Sequence, residues 1–173
     1  MTTVNSVNTY IVATATNEVT MPLQPAFGAY LGSDDTNVTG NGTVYTLGTN
    51  VALTEVFDQN ADFNVNGTLT SPVTGRYFIE CTMDLTTPAG NEIGGVHRIV
   101  TSNASYKISM NPDTYTNGSG GSYGLCIHHT VDMDAADTAT FTVEHLGNVA
   151  DTSDIRAPTA KGRGTVVSGF LVY

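Results

Sequence analysis

The stretch FNVNGTLTSPVTGRYFIECTMDL (residues 63–85) decides the fold of this chain. Its first half is rich in turn formers, since Asn66-Gly67 favours a turn and Pro72 and Gly75 bracket a second bend. In its second half alternate residues are apolar, and an extended strand places them on one face: Tyr77, Ile79, Cys81, Met83 and Leu85. The stretch therefore predicts a corner that leads into a long, half-buried β-strand.

The rest of the chain alternates short strand patterns with turn signals in the same way. The strand patterns cover residues 26–31, 43–47, 51–57, 96–102, 104–110, 123–133, 138–146 and 164–173. Polar, Gly- and Asn-rich stretches separate them, and no segment of about 11 residues or more has a helical period. About ten short strands in one domain predict an all-β, two-sheet sandwich or jelly roll.

A length of 173 residues predicts one domain with room for a short arm. Residues 1–24 are the predicted arm, because the prolines of MPLQP disfavour a helix and favour an extended connector. The compact domain then covers residues 25–173.

The two cysteines lie in strand patterns: Cys81 is in phase with its apolar neighbours and Cys126 is out of phase. The difference in phase indicates that the two thiols point to different faces, and both are predicted to be buried and reduced.

The net charge is −10, from 16 acidic and six basic residues. Binding to a nucleic-acid backbone needs clustered cations, which the sequence lacks, so nucleic acid is excluded as a partner. The acidity also disfavours an anionic membrane surface, and no apolar run approaches the ~20 residues that span a bilayer. The N-terminus lacks the basic start and apolar centre of a secretory signal, so we expect export, if any, by release in an assembled particle.

The closing strand VVSGFLVY (166–173) is apolar on both faces. Its alternate positions form two sets: Val167, Leu171 and Tyr173, and Val166, Phe170 and Val172. A strand on the surface of a monomer keeps one polar face, so the second apolar face predicts a partner subunit. The alternative is that the N-terminal arm of the same chain covers it.

From Ala26 to Tyr173 the sequence resembles the globular heads of complement-subcomponent-q type, in the tumour-necrosis-factor-like superfamily. The matching stretches keep the order and spacing of the family: AFGAY (26–30), EVFDQNADFN (55–64), GTLTSPVTGRYFI (67–79), VDMDAADTATFTV (131–143) and SGFLVY (168–173). In the third stretch Leu69 replaces the first aromatic residue of the family pattern. The resemblance implies a ten-stranded jelly roll that assembles as a homotrimer. The candidates for its trimer interface or core are Phe27, Tyr77, Phe170, Val172 and Tyr173.

The segment before the domain, SVNTYIVATATNEVTMPLQPAF (6–27), resembles the lead-in of bacteriophage virion proteins that carry such heads. Animal members of the superfamily carry collagen-like stalks and secretion signals, which this sequence does not match. The resemblance therefore implies a protein made in the infected bacterial cytoplasm and located on the virion surface. The arm would join it to other virion proteins.

The stretch GLCIHHTVD brings a cysteine and two histidines together, which suggests a thiolate nucleophile or a metal site. On a strand Cys126 and His128 share one face and His129 lies on the other. A structural zinc site needs four ligands, and His97 and His145 lie on other strands. In a trimer, three copies of one histidine could meet on the axis. Buried or interfacial side chains without a metal are the favoured interpretation.

Acidic residues suggest calcium as a ligand, because hard cations bind oxygen atoms. Asp34 and Asp35 lie in a loop that is predicted to be exposed, and they form the candidate calcium site. A second acidic stretch resembles a calcium loop but lacks the glycine and the distal glutamate of an EF-hand, so it is interpreted as a turn: Asp132, Asp134 and Asp137. No other cofactor is predicted.

The sequence contains no G-x-S-x-G, H-E-x-x-H or phosphate-loop motif, so we predict that the protein is not an enzyme. Glu55, Glu80 and Glu144 could converge as carboxylates for glycoside hydrolysis. Solvent-facing positions on strands are the simpler interpretation of all three.

The predicted function is that of a trimeric fibre or tip head, which projects from a bacteriophage particle and recognises a glycan or protein of the host surface. Four loops form the predicted contact surface: residues 33–42, 85–95, 111–122 and 147–164. Loops carry binding where a rigid scaffold supports them. Tyr115, Asn117 and Tyr123 lie among small polar residues, a paratope-like composition. The alternatives are a flexible loop without function and, for the whole protein, a capsid decoration protein that stabilises the head without receptor binding.

Overall fold

The computed structural model describes residues 12–13, 19–21, 23–87, 91–116, 121–159 and 164–173. These residues form fifteen strands and one short helix, α1 (Pro112–Thr116). The strands are β1 (Val12–Ala13), β2 (Val19–Thr20), β3 (Ala26–Leu31), β4 (Asp35–Thr39), β5 (Val44–Thr46), β6 (Leu53–Asp58), β7 (Phe63–Asn64), β8 (Thr68–Thr70), β9 (Gly75–Thr87), β10 (Gly94–Thr101), β11 (Ser105–Met110), β12 (Gly121–Met133), β13 (Thr138–Leu146), β14 (Ser153–Ile155) and β15 (Val166–Leu171).

Most of the strands form two antiparallel sheets that pack face to face. The large sheet has the order β4-β14-β9-β15-β3-β6, and β12 also pairs with β9. The small sheet has the order β11-β10-β13-β8-β7, and β5 also pairs with β13. The pair β1-β2 lies outside both sheets. The all-β, two-sheet sandwich that the sequence predicts is confirmed.

Strand β9 organises the large sheet. Its alternating residues point into the core, as the sequence predicts, and each is at most 1% exposed: Tyr77, Ile79, Cys81, Met83 and Leu85. On one edge β12 pairs with it along its whole length, and on the other edge β15 and β14 pair with it in succession. Because β9 has partners on both edges, its backbone groups are hydrogen-bonded within the sheet.

The core lies between the two sheets. The small sheet contributes Ile99, Phe141 and Val143, all fully buried, and burial of each such side chain stabilises the fold by about 1.5–3 kcal/mol. Phe27 stacks on Phe63 with ring centroids 4.5 Å apart and planes 7° apart. Gly169 lies beneath Phe27: an ideal Cβ there would be 2.7 Å from the Cε1 atom of Phe27. The core therefore needs a glycine at this position.

The strands run between two ends of the sandwich. The base carries Ala26, Gly75 and Leu171, and the chain enters there from the arm. The opposite end, which we name the distal end, carries Thr87 and Gly121. The register of the long strands thus fixes which loops lie together.

Two predicted loops contain strands. The stretch 33–42 includes β4, and the stretch 147–164 includes β14; the two strands pair with each other, and β14 also pairs with β9. Their residues are too polar or too few to give an alternating pattern, so the pairing partners make them strands. The predicted loop 111–122 begins with α1, which is too short to have a helical period.

The described part of the predicted arm (1–24) includes the antiparallel pair β1-β2, which the sequence does not predict in this form. The boundary at residue 25 stays a prediction. Among the described residues, no helix has the length and apolar character that a membrane span requires.

Candidate interaction surfaces

The outer face of the large sheet is rich in aromatic and aliphatic side chains. We name it the aromatic face: Tyr30, Phe57, Phe78, Val166 and Phe170. The rings of Phe78 and Phe170 lie 5.5 Å apart, and Phe57 and Phe170 are 49% and 47% exposed. Half-exposed aromatic side chains on one sheet face make it a candidate interaction surface.

A groove of about 360 Å³ crosses the aromatic face beside β3, β6 and β15. Phe57 forms one wall, and Gly28 makes room for its ring, since an ideal Cβ at Gly28 would be 2.6 Å from the Cε1 atom of Phe57. On the polar side of the groove, the Ser168 hydroxyl donates a hydrogen bond of 3.0 Å to the Glu80 carboxylate. The groove is shaped to accept an apolar side chain with one polar contact.

The outer face of the small sheet has the opposite character. We name it the polar face: Thr46, Arg98, Lys107, Thr140 and Glu144. Arg98 Nη2 and Glu144 Oε2 form an ion pair of 2.5 Å, with the two side chains 22% and 18% exposed. This face presents hydroxyl and charged groups to solvent beside two exposed aliphatic side chains, Val44 at 52% and Leu146 at 40%.

Of the five residues that the sequence analysis gives as candidates for the trimer interface or core, some are buried in the core and others are exposed on the surface. Phe27 and Tyr77 are 2% and 1% exposed and belong to the core. Phe170 belongs to the aromatic face. Val172 and Tyr173 are 41% and 68% exposed, and they lie at the base, where Arg76 lies over the Tyr173 ring at 5.1 Å.

The base joins the arm to the C-terminal residues. Gln24 donates a side-chain hydrogen bond to the carbonyl of Leu171, and Leu171 N donates to the Pro25 carbonyl at 2.9 Å. Asn60 Nδ2 donates to the Leu23 carbonyl at 3.0 Å. The end of the arm is therefore anchored at the base.

The four predicted contact loops come together at the distal end. Asn148 N donates to the Gly40 carbonyl at 3.0 Å, and Asp113 N donates to the Glu92 carbonyl at 3.1 Å. Asn148 Nδ2 also donates to the Glu92 carboxylate at 2.8 Å. These bonds connect the loops 33–42, 85–95, 111–122 and 147–164 in their described parts. They form one surface at the end opposite the arm.

No family model and no curated protein matches this sequence. Solved structures do match. The globular domain of the zebrafish complement 1qA protein has a TM-score of 0.53 and 15% identity, and the alignment covers 86% of this chain and 98% of that one. Murine APRIL at pH 8.5 has a TM-score of 0.53 and 7% identity, with 86% and 99% covered.

The fold is a tumour-necrosis-factor-like jelly roll. The resemblance of the sequence to this superfamily is confirmed at the level of the fold. Identities of 7% and 15% support the jelly roll alone, because one fold carries many functions.

The jelly roll separates the residues of the predicted receptor loop. Tyr115 is 62% exposed at the distal end, whereas Tyr123 is only 8% exposed and points into the sandwich. Their rings lie 6.0 Å apart, so Tyr123 supports Tyr115 from below. The prediction of Tyr123 as a surface contact is wrong, because its strand position faces the core. Asn117 lies outside the described residues.

The candidate calcium residues point in different directions. Asp35 is 3% exposed, so the expectation that it lies on an exposed loop is wrong; its carboxylate accepts hydrogen bonds from the Tyr45 hydroxyl and from Asn50 Nδ2. Hydrogen bonding to Asp35 and burial raise the pKa of Tyr45 to about 12, with burial the larger cause. The exposed Asp34 accepts a bond of 2.7 Å from Ala157 N. Calcium binding at this pair stays a prediction.

The second acidic stretch is a structural turn at the base. Asp134 N donates to Asp137 Oδ2 at 2.8 Å, and Asn103 Nδ2 donates to the same oxygen at 2.6 Å. Asp132 pairs with Arg76 at 2.8 Å on the surface. The interpretation as a turn before a strand agrees with these contacts.

The cysteine and histidine stretch lies on β12. Cys126 and His128 are exposed on the outer side, and His128 lies 5.9 Å from the Phe78 ring. His129 packs against Tyr106 with ring centroids 4.2 Å apart. Both cysteines are free, and Cys81 is buried as the sequence predicts. Cys126 is exposed, so the prediction of two buried thiols is wrong for Cys126, whose strand position faces outward. Across the described part of the chain, no three His, Cys, Asp or Glu residues form a cluster that could hold a metal ion.

The three glutamates do not converge. Glu144 lies on the polar face with Arg98, Glu80 bonds Ser168 on the aromatic face, and Glu55 is exposed on β6. A carboxylate pair for glycoside hydrolysis needs two groups that flank one bond. This arrangement gives no such pair.

The sequence interpretation missed a buried polar cluster near the distal end. We define the buried polar cluster as Glu92, His97, Tyr123, His145 and Ser153. A signal was available, since His97 shares strand parity with Ile99, and His145 shares it with Phe141 and Val143. That parity predicts two histidines in the core.

Proposed function

We propose that this chain forms the homotrimeric head of a bacteriophage fibre or tip, attached through its arm and binding the host surface with its distal end. The observation that carries the proposal is the position of the arm and the four-loop surface at opposite ends of the sandwich. A protein that is held at one end and binds at the other needs this arrangement.

The aromatic face supports the trimeric part of the proposal. Its exposed rings and its groove contrast with the hydroxyl and charged groups of the polar face. An apolar sheet face in contact with water is unfavourable by about 25 cal/mol per Å² of apolar surface. Contact between copies, which the superfamily resemblance implies, would remove that surface from water.

The virion part of the proposal rests on the lead-in segment, which resembles that of phage virion proteins. The distal end supports a binding role, because Ile93 and Tyr115 are 70% and 62% exposed beside polar loop residues. Exposed aromatic and apolar anchors with adaptable polar neighbours suit a glycan or protein surface. We infer a binding role rather than a catalytic one.

The trimer is tested by light scattering of the purified full chain. A trimer gives three times the 18.2 kDa chain mass, or about 55 kDa. A mass near 18.2 kDa that does not change with concentration contradicts it.

The binding role is tested by competition. The purified protein should reduce adsorption of the phage that carries it, and Tyr115→Ser combined with Ile93→Ser should remove that competition. Val73→Ser, at a 45% exposed position of the base, is the matched control and should compete as the wild type does. If particles without the protein adsorb normally but lose heat stability, decoration replaces receptor binding as the function. If a specific antibody labels no phage particle, the virion assignment fails.

A further inference from the structure

The buried polar cluster joins both sheets and two loops below the distal surface. His97 and His145 come from β10 and β13 of the small sheet, Tyr123 and Ser153 come from β12 and β14 of the large sheet, and Glu92 precedes β10. Glu92, both histidines and Ser153 have no exposed surface, and Tyr123 is 8% exposed. Polar groups this deeply buried are costly unless each has a hydrogen-bond partner.

One chain of hydrogen bonds passes through His145. The Tyr123 hydroxyl bonds its Nε2, and its Nδ1 lies 2.8 Å from the Ser153 hydroxyl, which in turn bonds Glu92 Oε1 at 3.4 Å. Neutral His145 satisfies the chain as far as Glu92 Oε1, while the second carboxylate oxygen, Oε2, is buried without a hydrogen-bond partner. The tyrosine donates to Nε2, Nδ1–H donates to the serine, and the serine donates to the carboxylate. A proton added at Nε2 would turn that atom into a donor and leave the tyrosine proton without an acceptor.

Protonation should destabilise the closed state more at His97 than at His145, because no hydrogen bond of His97 can stabilise the added charge. Neither of its ring nitrogens has a partner among the described residues. Its ring instead packs 6.3 Å from the His145 ring and 6.4 Å from the Tyr123 ring, measured between centroids. The neutral imidazole therefore contributes to the core by packing as an aromatic ring. A charged imidazole would be buried without a partner.

Few groups near the histidines can compensate a positive charge. The ionisable groups that face them are each other, Tyr123 from β12 and the carboxylate of Glu92, which reaches His145 only through Ser153. From β4 the neighbour is the neutral Thr39, whose hydroxyl accepts from His145 N at 2.9 Å. Asp113 of α1 contacts Glu92 through its backbone amide.

Burial dominates the titration of both histidines. It lowers the pKa of His97 to about 3, with a smaller contribution from His145, and it lowers the pKa of His145 to about 4. In a state in which the cluster is open and the histidines are exposed to water, their pKa returns to the ordinary value of about 6.5. As the pH falls, the open state therefore binds protons before the closed state does. The stability of the closed state is therefore complete above pH 6.5 and falls as the pH drops from there toward 4.

The cluster also holds the distal loops. Glu92 Oε1 binds Asn148 of the loop after β13, the Glu92 carbonyl binds Asp113 of α1, and Ser153 belongs to β14. Loss of these bonds would release Glu92, Asn148 and the start of α1 together. The base, which shares none of these contacts, would keep its structure.

We propose that the buried polar cluster is an acid-sensitive lock that keeps the distal loops in place near neutral pH and releases them when His97 and His145 become protonated. The proposal rests on the geometry of the cluster and does not depend on what the loops bind. It adds a condition under which any distal binding surface would be lost.

The test uses the full chain and pulsed hydrogen exchange, in which samples held at pH 7.5, 6.0 and 5.0 are labelled briefly at one common pH. We expect faster exchange at pH 5.0 in residues 91–93, α1 and 147–153, and no change at the base in residues 63–70. With the two pKa values, the opening equilibrium shifts about 30-fold per histidine between pH 7.5 and 5.0. His97→Phe keeps the ring packing and removes one titrating group, so it should reduce the acid effect about 30-fold.

The other two histidines provide an internal control. By NMR of the imidazole Cε1–H signals, His97 and His145 should stay neutral until the loops open. His128→Gln is the matched variant and should leave the acid effect unchanged. Normal titration of His97 and His145 without loop exchange overturns the proposal, as does acid exchange that is equal at both ends. If His97→Phe does not fold, the wild-type signals alone decide the question.

Discussion

The two outer faces of the sandwich differ although the same kind of strand forms both. On the polar face, threonines, the Arg98–Glu144 pair and the aliphatic side chains Val44 and Leu146 alternate with core residues. On the aromatic face, Phe57 and Phe170 take the same kind of outward position and remain half exposed. Strand alternation therefore tells which residues point outward, and the chemistry of those residues is the reason why we propose the aromatic face, and not the polar face, as the contact between copies.

The largest effect is expected from a charge on the aromatic face. Phe170→Asp should separate the proposed trimer, because a buried carboxylate without a partner costs about 2–4 kcal/mol per protomer. Val44→Asp, at a position of the small sheet that is 52% exposed, is the matched control and should keep the trimer mass. Light scattering gives both masses. Dissociation of both variants would remove the distinction between the faces.

The next effect concerns the two sides of the large sheet. Cys126 should react with a maleimide on the order of 100 times faster than Cys81, because burial raises the pKa of the Cys81 thiol and blocks access to it. Mass spectrometry after timed labelling at pH 7 measures the ratio. Cys126 should also react faster in Phe170→Asp than in the wild type. Both side chains lie on the outer face of the large sheet, which the proposed trimer would cover and the dissociated chain would expose. Equal rates for the two thiols would contradict the assigned strand faces.

A smaller effect is expected from one added methyl group on either side of the same sheet. Gly169→Ala should lower the free energy of unfolding by about 2–3 kcal/mol, because its methyl group would press on Phe27 and on the Phe78 carbonyl in the core. Gly28→Ala should cost less than about 1 kcal/mol, since the half-exposed Phe57 ring can move aside. Urea denaturation measures both. A larger loss for Gly28→Ala would mean that Phe57 is held as firmly as the core.

The smallest effect concerns ion pairs. Arg98→Ala should destabilise the protein by about 1–2 kcal/mol, because Glu144 is left without its partner at 18% exposure. Arg76→Ala should cost about 0.5 kcal/mol, because its pair with Asp132 is exposed at 51% and 82%. Thermal unfolding compares the two variants. If they are equally stable, the Arg98 pair contributes no more than a surface pair.

The sequence predicts those parts of the fold that local alternation determines. The phase of Cys81 and Cys126 relative to their neighbours gives their opposite faces correctly, and the strand at 138–146 agrees with β13 to the residue. The loops 33–42 and 147–164 hide β4 and β14, because those strands exist through pairing with each other and with β9. Partners that are distant in sequence leave no local signal.

The sequence does not reveal which polar residues are buried, because their burial depends on partners that only the tertiary structure brings together. Asp35 looks like an exposed loop residue, and its hydrogen bonds with Tyr45 on β5 and with Asn50 in the turn after β5 explain its burial. Tyr123 looks like a contact residue because its neighbours are small and polar, yet its strand phase faces the core. The relation between Glu92 and Ser153 requires the folded register of both sheets.

The anchoring of the arm at the base has a mechanical consequence. A pull between Pro25 and the distal end acts along the direction of β3, β9 and β15, whose hydrogen bonds lie perpendicular to the strands. The load is therefore shared by many bonds in shear rather than opening them one after another. If the arm is attached to a particle and the distal end is bound to a surface, the resulting tension would load these hydrogen bonds in shear, which is the direction in which the sheet resists most.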